Sequence, residues 1–563
     1  MKVIIIGGVA GGASAAARLR RLDENAEITI YEKSGYVSYA NCGLPYYIGG
    51  IIEDKEELTL QTPESFKNRF NIDVKVLHEV IRIDPLNKEV TVKNLSDNTE
   101  FKDSYDKLLI SVGAKPIKPK LEGIDSQKIL VLRTVEDTFK IKEAVSKDNI
   151  ESVTVVGGGF IGVETAENLR HLNKQVTIVD KAPQILGQID EDMASFVEKE
   201  MKDNGVELML SAGVEGFKEE DNKIIAYLDN SKTLKSDLVI LAIGVVPDST
   251  LAREAGLKLG FKNAIVTDEH MRTSDPDIYA CGDAVQILNR VSGTYTNIAL
   301  AGPANKQGRI VADNMAGIGS VYKGALGSSV LKVFDLTVAS TGLNERLTKM
   351  NSMEYEKIII SPASHASYYP GGSAMTLKLL FKKDGHKIIG AQIVGKDGVD
   401  KRIDVLSTAI YAGIKANDLK DIDLAYAPPY SSAKDPVNMA GFVAENVING
   451  IVKHFFVEDI DSLSERDDVI LLDTRTKEEY SRGHAAGFEL NIPVDELRDN
   501  LNKLDKSKKI YIMCQSGLRS YVASRILDNL GYDVYNFAGG YRYYSSVRHA
   551  QYEKGARTDC GIY

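Results

Sequence analysis

The sequence predicts a multidomain protein of the α/β class, and three observations support this prediction. A strand, a glycine-rich turn and a helix follow one another twice in the first third of the chain, beginning at Val3 and Val153. A region from about 326 to 445 mixes strands with a long helix, and a third strand–turn–helix pattern follows Asn449-Gly450. At ~150 residues per domain, a chain of 563 residues has room for about three or four domains.

Composition and charge exclude several classes of protein. Hydrophobic residues make up 43% and charged residues 26%, which argues against extended disorder or a coiled coil. The net charge of −10 disfavours a general nucleic-acid surface. The four cysteines are too few and too scattered to staple a secreted fold, and none forms a CxxC pair, so no metal site is predicted. They are Cys42, Cys281, Cys514 and Cys560.

Targeting and membrane segments are not expected. The chain opens on a strand pattern that leaves no room for a signal peptide. No uncharged apolar run approaches the ~20 residues that span a bilayer. We therefore expect a cytoplasmic protein with neither nucleic-acid nor membrane partners, in which any important cysteine acts as a reactive thiol.

The first glycine turn, residues 7–12, joins a strand over Val3–Ile6 to a helix over Ala13–Leu22. In dinucleotide-binding turns, glycines let the backbone approach a pyrophosphate at a helix N-terminus, and an acid ~20 positions further on binds the ribose. Glu32 ends the next strand at the right distance. The turn departs from the pattern at Val9, which stands where the middle glycine is expected.

The second glycine turn fits the pattern fully, with Gly157, Gly159, Gly162 and Asp180 in the four positions. One such turn is weak evidence. Two of them, each with a strand, a helix and a terminal acid, indicate two Rossmann-like domains, one inserted into the other. A carboxylate repels the 2′-phosphate of NADPH, so Asp180 favours NADH. The neighbouring Lys181 keeps NADPH open as an alternative.

Two further segments point to a flavin in one of the sites. Residues 277–283 predict a strand that ends in Asp283, a position that commonly faces a flavin in proteins with two dinucleotide sites, and residues 109–114 resemble the strand that closes an FAD domain. Together with the two turns, these segments make residues 1 to about 445 similar to the pyridine nucleotide-disulfide oxidoreductase superfamily. The resemblance implies FAD in the first site and NAD(P)H in the second.

The domain division that follows is 1–118 and 246–325 for FAD, 119–245 for NAD(P)H, and 326–448 for an α+β dimerisation domain. The resemblance places these residues at FAD: Gly7, Ala10, Gly11, Gly12, Glu32, Lys33, Val80, Gly113, Asp283 and Ala304. It places these at NAD(P)H: Gly157, Gly159, Ile161, Gly162, Asp180 and Gly244.

Cys42 lies among Ser, Asn, Gly and Pro residues just after the first strand–helix–strand unit. Disulfide reductases of the superfamily carry a Cys-x4-Cys pair, and the second position here is Tyr47. A lone thiol beside a flavin would cycle through a mixed disulfide with an external thiol or through a sulfenic acid. The first route is disulfide or persulfide reduction, and the second is peroxidase or NADH-oxidase chemistry.

The first helix carries a polar face that bears on this choice. Ser14, Arg18 and Arg21 share one side at i, i+4, i+7 spacing, which suits a phosphorylated substrate. Coenzyme A, a thiol with a phosphorylated nucleotide, is the natural candidate.

The chain closely resembles the coenzyme A-disulfide reductases in residues 7–12, 38–42, 365–371, 401–406 and 425–431. The resemblance explains Val9, which that family shares, and makes Cys42 the redox nucleophile. It implies a homodimer in which Tyr368 and Tyr426 reach the thiol across the interface and stabilise or protonate the departing CoA thiolate. The CoA contacts it implies are Ser14, Arg18, Arg21, Ser38, Asn41, Asn305 (often His in the family) and Lys434.

A second candidate thiol, Cys514, stands between a strand over Ile510–Met513 and a helix beginning at about Tyr521. Backbone N–H groups at such a turn hold an anion and lower a thiol pKa, which suits sulfur or phosphoryl transfer. Residues 455–548 resemble a rhodanese, an α/β domain, and the loop from Cys514 to Arg519 is one residue shorter than in related cell-cycle phosphatases. The resemblance implies a persulfide on Cys514 stabilised by Arg519, followed by a tail over 549–563.

Together the resemblances predict FAD-dependent, NAD(P)H-driven reduction of CoA disulfide, CoA persulfide or polysulfide. The reaction would pass through a Cys42–S–S–CoA mixed disulfide, with Cys514 handling sulfane sulfur. Two alternatives stay open: an NADH oxidase or peroxidase that uses a Cys42 sulfenic acid, and a non-catalytic sulfur-delivery or redox-sensing protein. Cys281 and Cys560 receive no role.

Overall fold

The structure is a computed structural model that describes residues 1–553, and the chain divides into two compact units. The first unit comprises residues 1–185 and 205–327, and the second comprises 186–204 and the chain from 328 onward. The helices are α1 Ala10–Arg20, α2 Leu44–Gly49, α3 Pro63–Phe70, α4 Val135–Val145, α5 Phe160–His171, α6 Glu191–Asp203, α7 Thr250–Glu254, α8 Ala301–Met315, α9 Glu345–Met350, α10 Val399–Ala412, α11 Pro436–Ile448, α12 Ile460–Ser464, α13 Lys477–Ser481, α14 Leu518–Asn529 and α15 Gly540–Glu553.

Strands of the first unit are β1 Lys2–Ile6, β2 Glu27–Glu32, β3 Asp73–Val76, β4 His78–Asp84, β5 Glu89–Asn94, β6 Glu100–Ser104, β7 Lys107–Ile110, β8 Ala114–Pro116, β9 Ile129–Val131, β10 Ser152–Val156, β11 Gln175–Val179, β12 Val206–Met209, β13 Val214–Glu220, β14 Lys223–Leu228, β15 Thr233–Ser236, β16 Leu238–Leu241, β17 Val245–Pro247, β18 Ile278–Ala280, β19 Ile287–Leu288 and β20 Tyr295–Thr296. Strands of the second unit are β21 Ser329–Val333, β22 Leu336–Gly342, β23 Tyr355–Ile360, β24 Met375–Lys382, β25 Ile388–Gly395, β26 His454–Phe455, β27 Val469–Asp473, β28 Leu490–Asn491, β29 Lys509–Met513 and β30 Val534–Phe537. Short 3-10 turns cover Asn41–Gly43, Lys55–Leu58, Phe261–Asn263, Gly282–Ala284, Ala416–Asp421, Val457–Asp459 and Val494–Lys503.

The first unit contains two parallel sheets of the same design. In one, β1 lies between β2 and β7 in the order β18-β7-β1-β2-β3, and in the other, β10 lies between β11 and β16 in the order β12-β11-β10-β16-β9. The central strands are buried on both faces, as expected for a parallel sheet covered on both sides. The two Rossmann-like sheets of the prediction are confirmed.

Both helices that follow the glycine turns begin earlier than predicted. Helix α1 begins at Ala10 instead of Ala13, and α5 begins at Phe160, whereas the sequence predicts a helix from Val163. The difference arises because Gly12 and Gly162, the last glycines of the two turns, lie inside the first helical turn, close to the carbonyl oxygens of Gly7 and Gly157.

The second unit contains an antiparallel and a parallel sheet. The antiparallel sheet has the order β21-β22-β25-β24-β23. The sequence predicts three of its strands, over 329–333, 374–381 and 388–394, and β21, β24 and β25 agree with them within one residue at each end, whereas β22 and β23 were not predicted. The parallel sheet has the order β26-β30-β29-β27-β28. In the antiparallel sheet, strands β24 and β25 are almost wholly buried, so the antiparallel sheet and the helices packed on it form the core of the unit.

One buried cation ties the parts of the second unit together. Lys378 on β24 is 1% exposed, and its Nζ lies 3.0 Å from Asp190, 2.7 Å from Asp192 and 2.5 Å from Glu345. Tyr543 on α15 donates its hydroxyl to Asp192 Oδ2 at 2.6 Å. This group of residues, called the Lys378 cluster below, therefore joins the start of α6, the antiparallel sheet, α9 and α15.

Within residues 1–553, no helix combines the length and apolar character needed to cross a membrane. The predicted tail lies largely outside the described residues, and so does Cys560.

Candidate active sites

The two glycine turns have the same geometry. Gly7 and Gly157 both adopt positive φ angles, of 94° and 111°. A Cβ atom on Gly12 would lie 1.9 Å from the carbonyl oxygen of Gly7, and one on Gly162 would lie 1.9 Å from that of Gly157. Only glycine satisfies these positions, because any side chain would clash with backbone.

The acidic residues of the two turns also act alike. Glu32 accepts the backbone N–H of Gly8 at 2.9 Å, and Asp180 accepts that of Gly158 at 2.6 Å. Burial raises the pKa of Glu32, while the N–H groups of Gly8 and Ser34 oppose the rise. Each carboxylate therefore fixes its turn from the sheet side. Sequence reasoning identified both acids but not the Gly8 and Gly158 donors.

Val9 and Gly159 occupy equivalent N-cap positions before α1 and α5. Val9 has φ −98°, an angle open to any residue, which explains why a branched side chain replaces the middle glycine. A Cβ on Gly159 would meet no atom within 4 Å, so open space lies before the start of α5. A phosphate fits such a place, since helix N-termini offer unpaired N–H groups.

The remaining predicted cofactor residues lie around these turns or on the same unit. Gly113 lies between β7 and β8 and Gly244 after β16, both with positive φ angles. Asp283 lies in the 3-10 turn after β18, where burial raises its pKa. Of the others, Ala304 is buried on α8, Val80 is buried on β4, Ile161 lies in the first turn of α5, and Lys33 is exposed after β2. This chain therefore offers two cradles that fit dinucleotides.

Cys42 lies in the 3-10 turn before α2, and its side chain is accessible to solvent. Partial burial raises the pKa of its thiol, Glu164 and Asp283 raise it further, and Arg133 opposes them. Cys281 differs: it is fully buried, donates to Ser111 at 3.5 Å, and has a pKa raised to about 12 by burial. Of these two thiols, only Cys42 is placed for external chemistry.

Arg133 is a site residue that sequence reasoning missed. Its Nη2 lies 3.5 Å from Asp283, and its Nε donates to the carbonyl oxygen of Ala114 at 3.0 Å. When the side-chain amide of Asn41 is oriented so that both its oxygen and its nitrogen are hydrogen-bonded, the oxygen accepts a hydrogen bond from Arg133 Nη1 at 3.0 Å. Arg133 follows β9, far from Cys42 in sequence, so no local pattern could have revealed it.

Glu164 on α5 is a second missed residue. Tyr46, one helical turn after Cys42, donates its hydroxyl to Glu164 at 3.2 Å. Burial raises the pKa of Glu164 to about 7, and the Tyr46 hydrogen bond opposes the rise. A carboxyl group that changes charge near neutral pH thus lies near the Cys42 thiol.

A pocket of about 370 Å³ opens on the polar face of α1, as the spacing predicted. It contains Ser14, Arg18, Arg21, Ser38 and Asn305, which brings together five of the seven predicted CoA contacts. Two alanines of α1, Ala13 and Ala17, also line it. The remaining lining residues were not predicted: Gln61, Phe66, Phe70 and Arg309.

Two contacts shape this pocket. Ser14 donates its hydroxyl to Asn305 Oδ1 at 2.5 Å, which joins α1 to α8. Arg18 Nε lies 2.8 Å from Asp313, so this cation is held in place by a carboxylate. Three arginines and two phenylalanine rings around one opening suit a molecule with phosphates and an aromatic base.

Tyr368 and Tyr426, predicted as a pair, do meet in the second unit. Their hydroxyl oxygens lie 2.6 Å apart, and the side chains are 73% and 45% exposed. The hydrogen bond to Tyr368 raises the pKa of Tyr426, so this exposed phenol keeps its proton at neutral pH. Lys434, also predicted, is exposed just before α11 in the same unit.

Arg402 positions the loops that carry these tyrosines. The residue is 1% exposed, and its Nη2 lies 2.9 Å from Asp435 Oδ2. The same Nη2 donates to the carbonyl oxygens of Ser364 at 2.9 Å and Tyr430 at 3.3 Å. Both tyrosine loops are thereby fixed to one buried ion pair.

Cys514 lies at the end of β29 and is fully buried. Its Sγ accepts the backbone N–H of Gly517 at 3.2 Å and the hydroxyl of Ser520 at 3.2 Å. Helix α14 begins at Leu518, three residues before the predicted start, because Gly517 with φ 96° already closes the turn. The start of α15 holds the loop from the other side, since Tyr541 N–H donates to the carbonyl oxygen of Cys514 at 2.7 Å.

Arg519 does not lie alone beside Cys514. It forms a bidentate ion pair with Glu479, with N–O distances of 2.7 and 2.8 Å. The Arg519 hydrogen bond is the main reason that the pKa of Glu479 falls to about 2. The sequence did not reveal this pairing, because Glu479 and Arg519 lie 40 residues apart on separate helices.

Comparison with known families agrees with this geometry. The family model described as pyridine nucleotide-disulphide oxidoreductase matches residues 1–308, and the dimerisation domain of that family matches residues 328–436. A rhodanese-like domain matches residues 456–546. The chain belongs to the pyridine nucleotide-disulphide oxidoreductase family, and this membership implies FAD and NAD(P)H as cofactors.

Individual relatives narrow the comparison. The chain is 35% identical over 453 residues to the coenzyme A disulfide reductase of Staphylococcus haemolyticus, which covers 79% of this chain and 100% of that protein. Reduced CoADR-RHD from Bacillus anthracis matches with 47% identity and a TM-score of 0.95, covering 98% of each chain. The NAD-dependent persulfide reductase of A. fulgidus matches with 39% identity and a TM-score of 0.92, covering 97% of this chain and 100% of that one.

Proposed function

We propose that this protein is an FAD-dependent NADH:CoA-disulfide and CoA-persulfide oxidoreductase with a sulfur-carrying rhodanese domain. The observation that carries the proposal is an accessible lone thiol, Cys42, in the same unit as two dinucleotide turns and an arginine-lined pocket. The names of the relatives, a coenzyme A disulfide reductase and a persulfide reductase, support this substrate class.

The chemistry at Cys42 follows from its accessibility. The Cys42 thiolate attacks one sulfur of CoA disulfide, the S–S bond breaks, and one CoA thiolate leaves as Cys42–S–S–CoA forms. The first glycine turn, with Gly7, Gly12 and Glu32, would hold the flavin, whose chemistry would be to pass two electrons from NADH to this mixed disulfide. The second CoA thiolate takes a proton from the Tyr368–Tyr426 pair of the other subunit in a homodimer, which the matched dimerisation domain supports. With CoA persulfide, the leaving group is sulfide.

Anaerobic oxidation of NADH tests the proposal most directly. The full-length holoenzyme should oxidise NADH with CoA disulfide, CoA persulfide or polysulfide as acceptor, and a covalently bound CoA should be released from Cys42 by a reducing agent. Consumption of oxygen or peroxide without any CoA substrate would identify an oxidase or peroxidase instead. Failure to oxidise NADH with every acceptor, despite bound FAD, would point to a sensor or delivery protein.

The pocket residue Arg21 is expected to bind a CoA phosphate. It is exposed on the rim of the pocket, so Arg21→Ala should raise the KM for CoA disulfide by about tenfold and leave kcat within about twofold. Steady-state kinetics measure both constants. Arg82→Ala, an exposed arginine on β4 outside the pocket lining, is the matched control and should change neither. Equal losses in the two variants would contradict the assignment of the pocket.

Asp180 is expected to select NADH. Its carboxylate stands at the end of β11 beside the second turn, where it repels a 2′-phosphate. Asp180→Ala should therefore reduce the ratio of kcat/KM for NADH to that for NADPH by about tenfold or more. Glu32→Ala, the equivalent acid of the first turn, should instead lower FAD content without changing that ratio. An unchanged coenzyme ratio in Asp180→Ala would contradict the prediction.

A further inference from the structure

Two arginines near the Cys514 loop are neutralised by carboxylates, whereas Arg542, whose backbone N–H donates to the carbonyl oxygen of Gln515 at 3.2 Å, directs its guanidinium to the carbonyl oxygen of Ala374 at 3.2 Å. Arg519 lies in its bidentate pair with Glu479. Arg475, which is 1% exposed, contacts both oxygens of the fully buried Asp473, with Nε 3.1 Å from Oδ1 and Nη2 2.7 Å from Oδ2, and stacks over the ring of Tyr541. Neither Arg519 nor Arg475 therefore adds net positive charge next to Cys514.

Within residues 1–553, the donors in hydrogen-bond contact with the sulfur of Cys514 are two neutral groups. They are the Gly517 N–H and the Ser520 hydroxyl, each 3.2 Å from Sγ. Such a set stabilises one negative charge, as on a thiolate or a terminal persulfide sulfur. Arg519 is close enough for the Cys514 charge to act on its pKa, although the Glu479 hydrogen bond is the larger cause of the rise.

We propose that Glu479 determines which sulfur donors the Cys514 loop accepts. By pairing with Arg519 it removes the net positive charge that a dianionic donor such as thiosulfate needs, and it leaves organic persulfides as the preferred donors. The inference rests on the proposed sulfur-carrying role of Cys514 and adds the donor class to it.

Either donor can transfer its outer sulfur to Cys514. With a persulfide R–S–SH, the Cys514 thiolate attacks the outer sulfur, the donor S–S bond breaks, and Cys514–S–S⁻ forms while RSH leaves with the proton. With thiosulfate, the same attack releases sulfite, and the dianion must first approach a thiolate. That approach brings three negative charges together, whereas the protonated persulfide R–S–SH leaves only the one charge of the Cys514 thiolate.

The structure suggests a substitution that tests charge alone. Glu479 is the third residue of α13 and forms a capping box: its side chain accepts the Thr476 N–H at 2.9 Å, and its own N–H donates to Thr476 Oγ1 at 3.1 Å. Because the amide oxygen of glutamine accepts the same hydrogen bond, Glu479→Gln keeps the helix start and removes the charge. Glu478→Gln is the matched control, since Glu478 pairs with Arg482 on the exposed side of the same helix.

The experiment measures sulfur transfer to cyanide by the full-length holoenzyme without NADH, using thiosulfate or hydroxyethyl persulfide as donor. Cys514→Ser supplies the background. Glu479→Gln should raise kcat/KM for thiosulfate by about tenfold, mainly through KM, with the gain falling at high salt, and should change the persulfide value by less than about threefold. Glu479→Asp, which keeps the charge, and Glu478→Gln should both retain the wild-type donor ratio.

Equal changes for both donors in Glu479→Gln, or a wild-type preference for thiosulfate, would overturn the inference. NADH oxidation with CoA disulfide, measured on the same samples, reports separately on the reductase. If the wild type does not oxidise NADH with CoA disulfide, the proposed function is contradicted. If Glu479→Gln has the same ratio of thiosulfate to persulfide activity as the wild type, only the role of Glu479 is contradicted.

Discussion

Cys42→Ser should lower NADH-driven reduction of CoA disulfide by at least about a thousandfold. A serine hydroxyl cannot form the mixed disulfide, so the reaction loses its covalent intermediate. The substitution adds no bulk at an accessible side chain, and neither glycine turn is changed, so FAD content should remain at the wild-type level. Anaerobic loss of NADH absorbance, together with the flavin spectrum, measures both outcomes.

The other cysteines provide the controls for this prediction. Cys281→Ser, at a buried thiol with no assigned chemistry, should keep the reductase activity. Cys514→Ser should keep CoA-disulfide reduction and lose sulfur transfer to cyanide. If Cys514→Ser also leaves polysulfide reduction unchanged, Cys42 receives its sulfur without the rhodanese domain. More than about a tenth of wild-type activity in Cys42→Ser would contradict the role of Cys42 as nucleophile.

Lys378→Met should destabilise the protein by about 3–5 kcal/mol. The substitution leaves the carboxylates of Asp190, Asp192 and Glu345 without their shared cation, and Lys378 itself is almost wholly buried. Methionine fills a similar volume, so the loss reflects charge more than packing. Chemical unfolding monitored by circular dichroism measures the change in free energy. Lys332→Met, at an exposed lysine on β21 of the same sheet, should change it by less than about 0.5 kcal/mol.

The Lys378 effect should depend on pH in a defined direction. Lys378 and Lys357 lower the pKa of Glu345 from its ordinary 4.5 to about 2, against the effect of burial, so this stabilisation is present above about pH 4.5 and is lost as the pH falls toward 2. The carboxylates raise the pKa of Lys378 above its ordinary 10.5, so its contribution is fully present below that pH. The difference in stability between wild type and Lys378→Met should therefore be largest from about pH 5 to 10 and shrink in acid. An equal difference at pH 3 and pH 7 would contradict this account.

Local spacing predicted those parts of the sites that are contiguous in sequence. The two glycine turns and the Cys514 loop each combine a strand end, a turn and a helix start within a few residues, so their geometry follows from backbone chemistry. Cys42 lies in the 3-10 turn directly before α2, among residues adjacent in sequence. The polar face of α1 was predictable for the same reason, because helical periodicity fixes which side chains share a side.

Residues brought in by tertiary packing could not be predicted in this way. Arg133, Glu164 and Arg309 reach their sites from separate elements of the first unit. Lys378 looks in the sequence like a polar interruption of an apolar strand, and its three carboxylate partners come from two distant segments. Glu479 lies on α13 and Arg519 on α14, so their ion pair also depends on tertiary packing.

Helix α6 has a consequence for how this protein can be re-engineered. Its sequence lies between β11 and β12 of the second parallel sheet, yet it belongs to the second unit, where Phe196 faces Tyr543 and Asp192 binds the Tyr543 hydroxyl. The staphylococcal relative is matched along its whole length by 79% of this chain. Shortening this chain to the length of that relative would remove α15 and expose the face of α6 that packs against Tyr543. The rhodanese domain therefore cannot be moved to another reductase by itself, because the residues of α6 that contact α15 must be transferred with it.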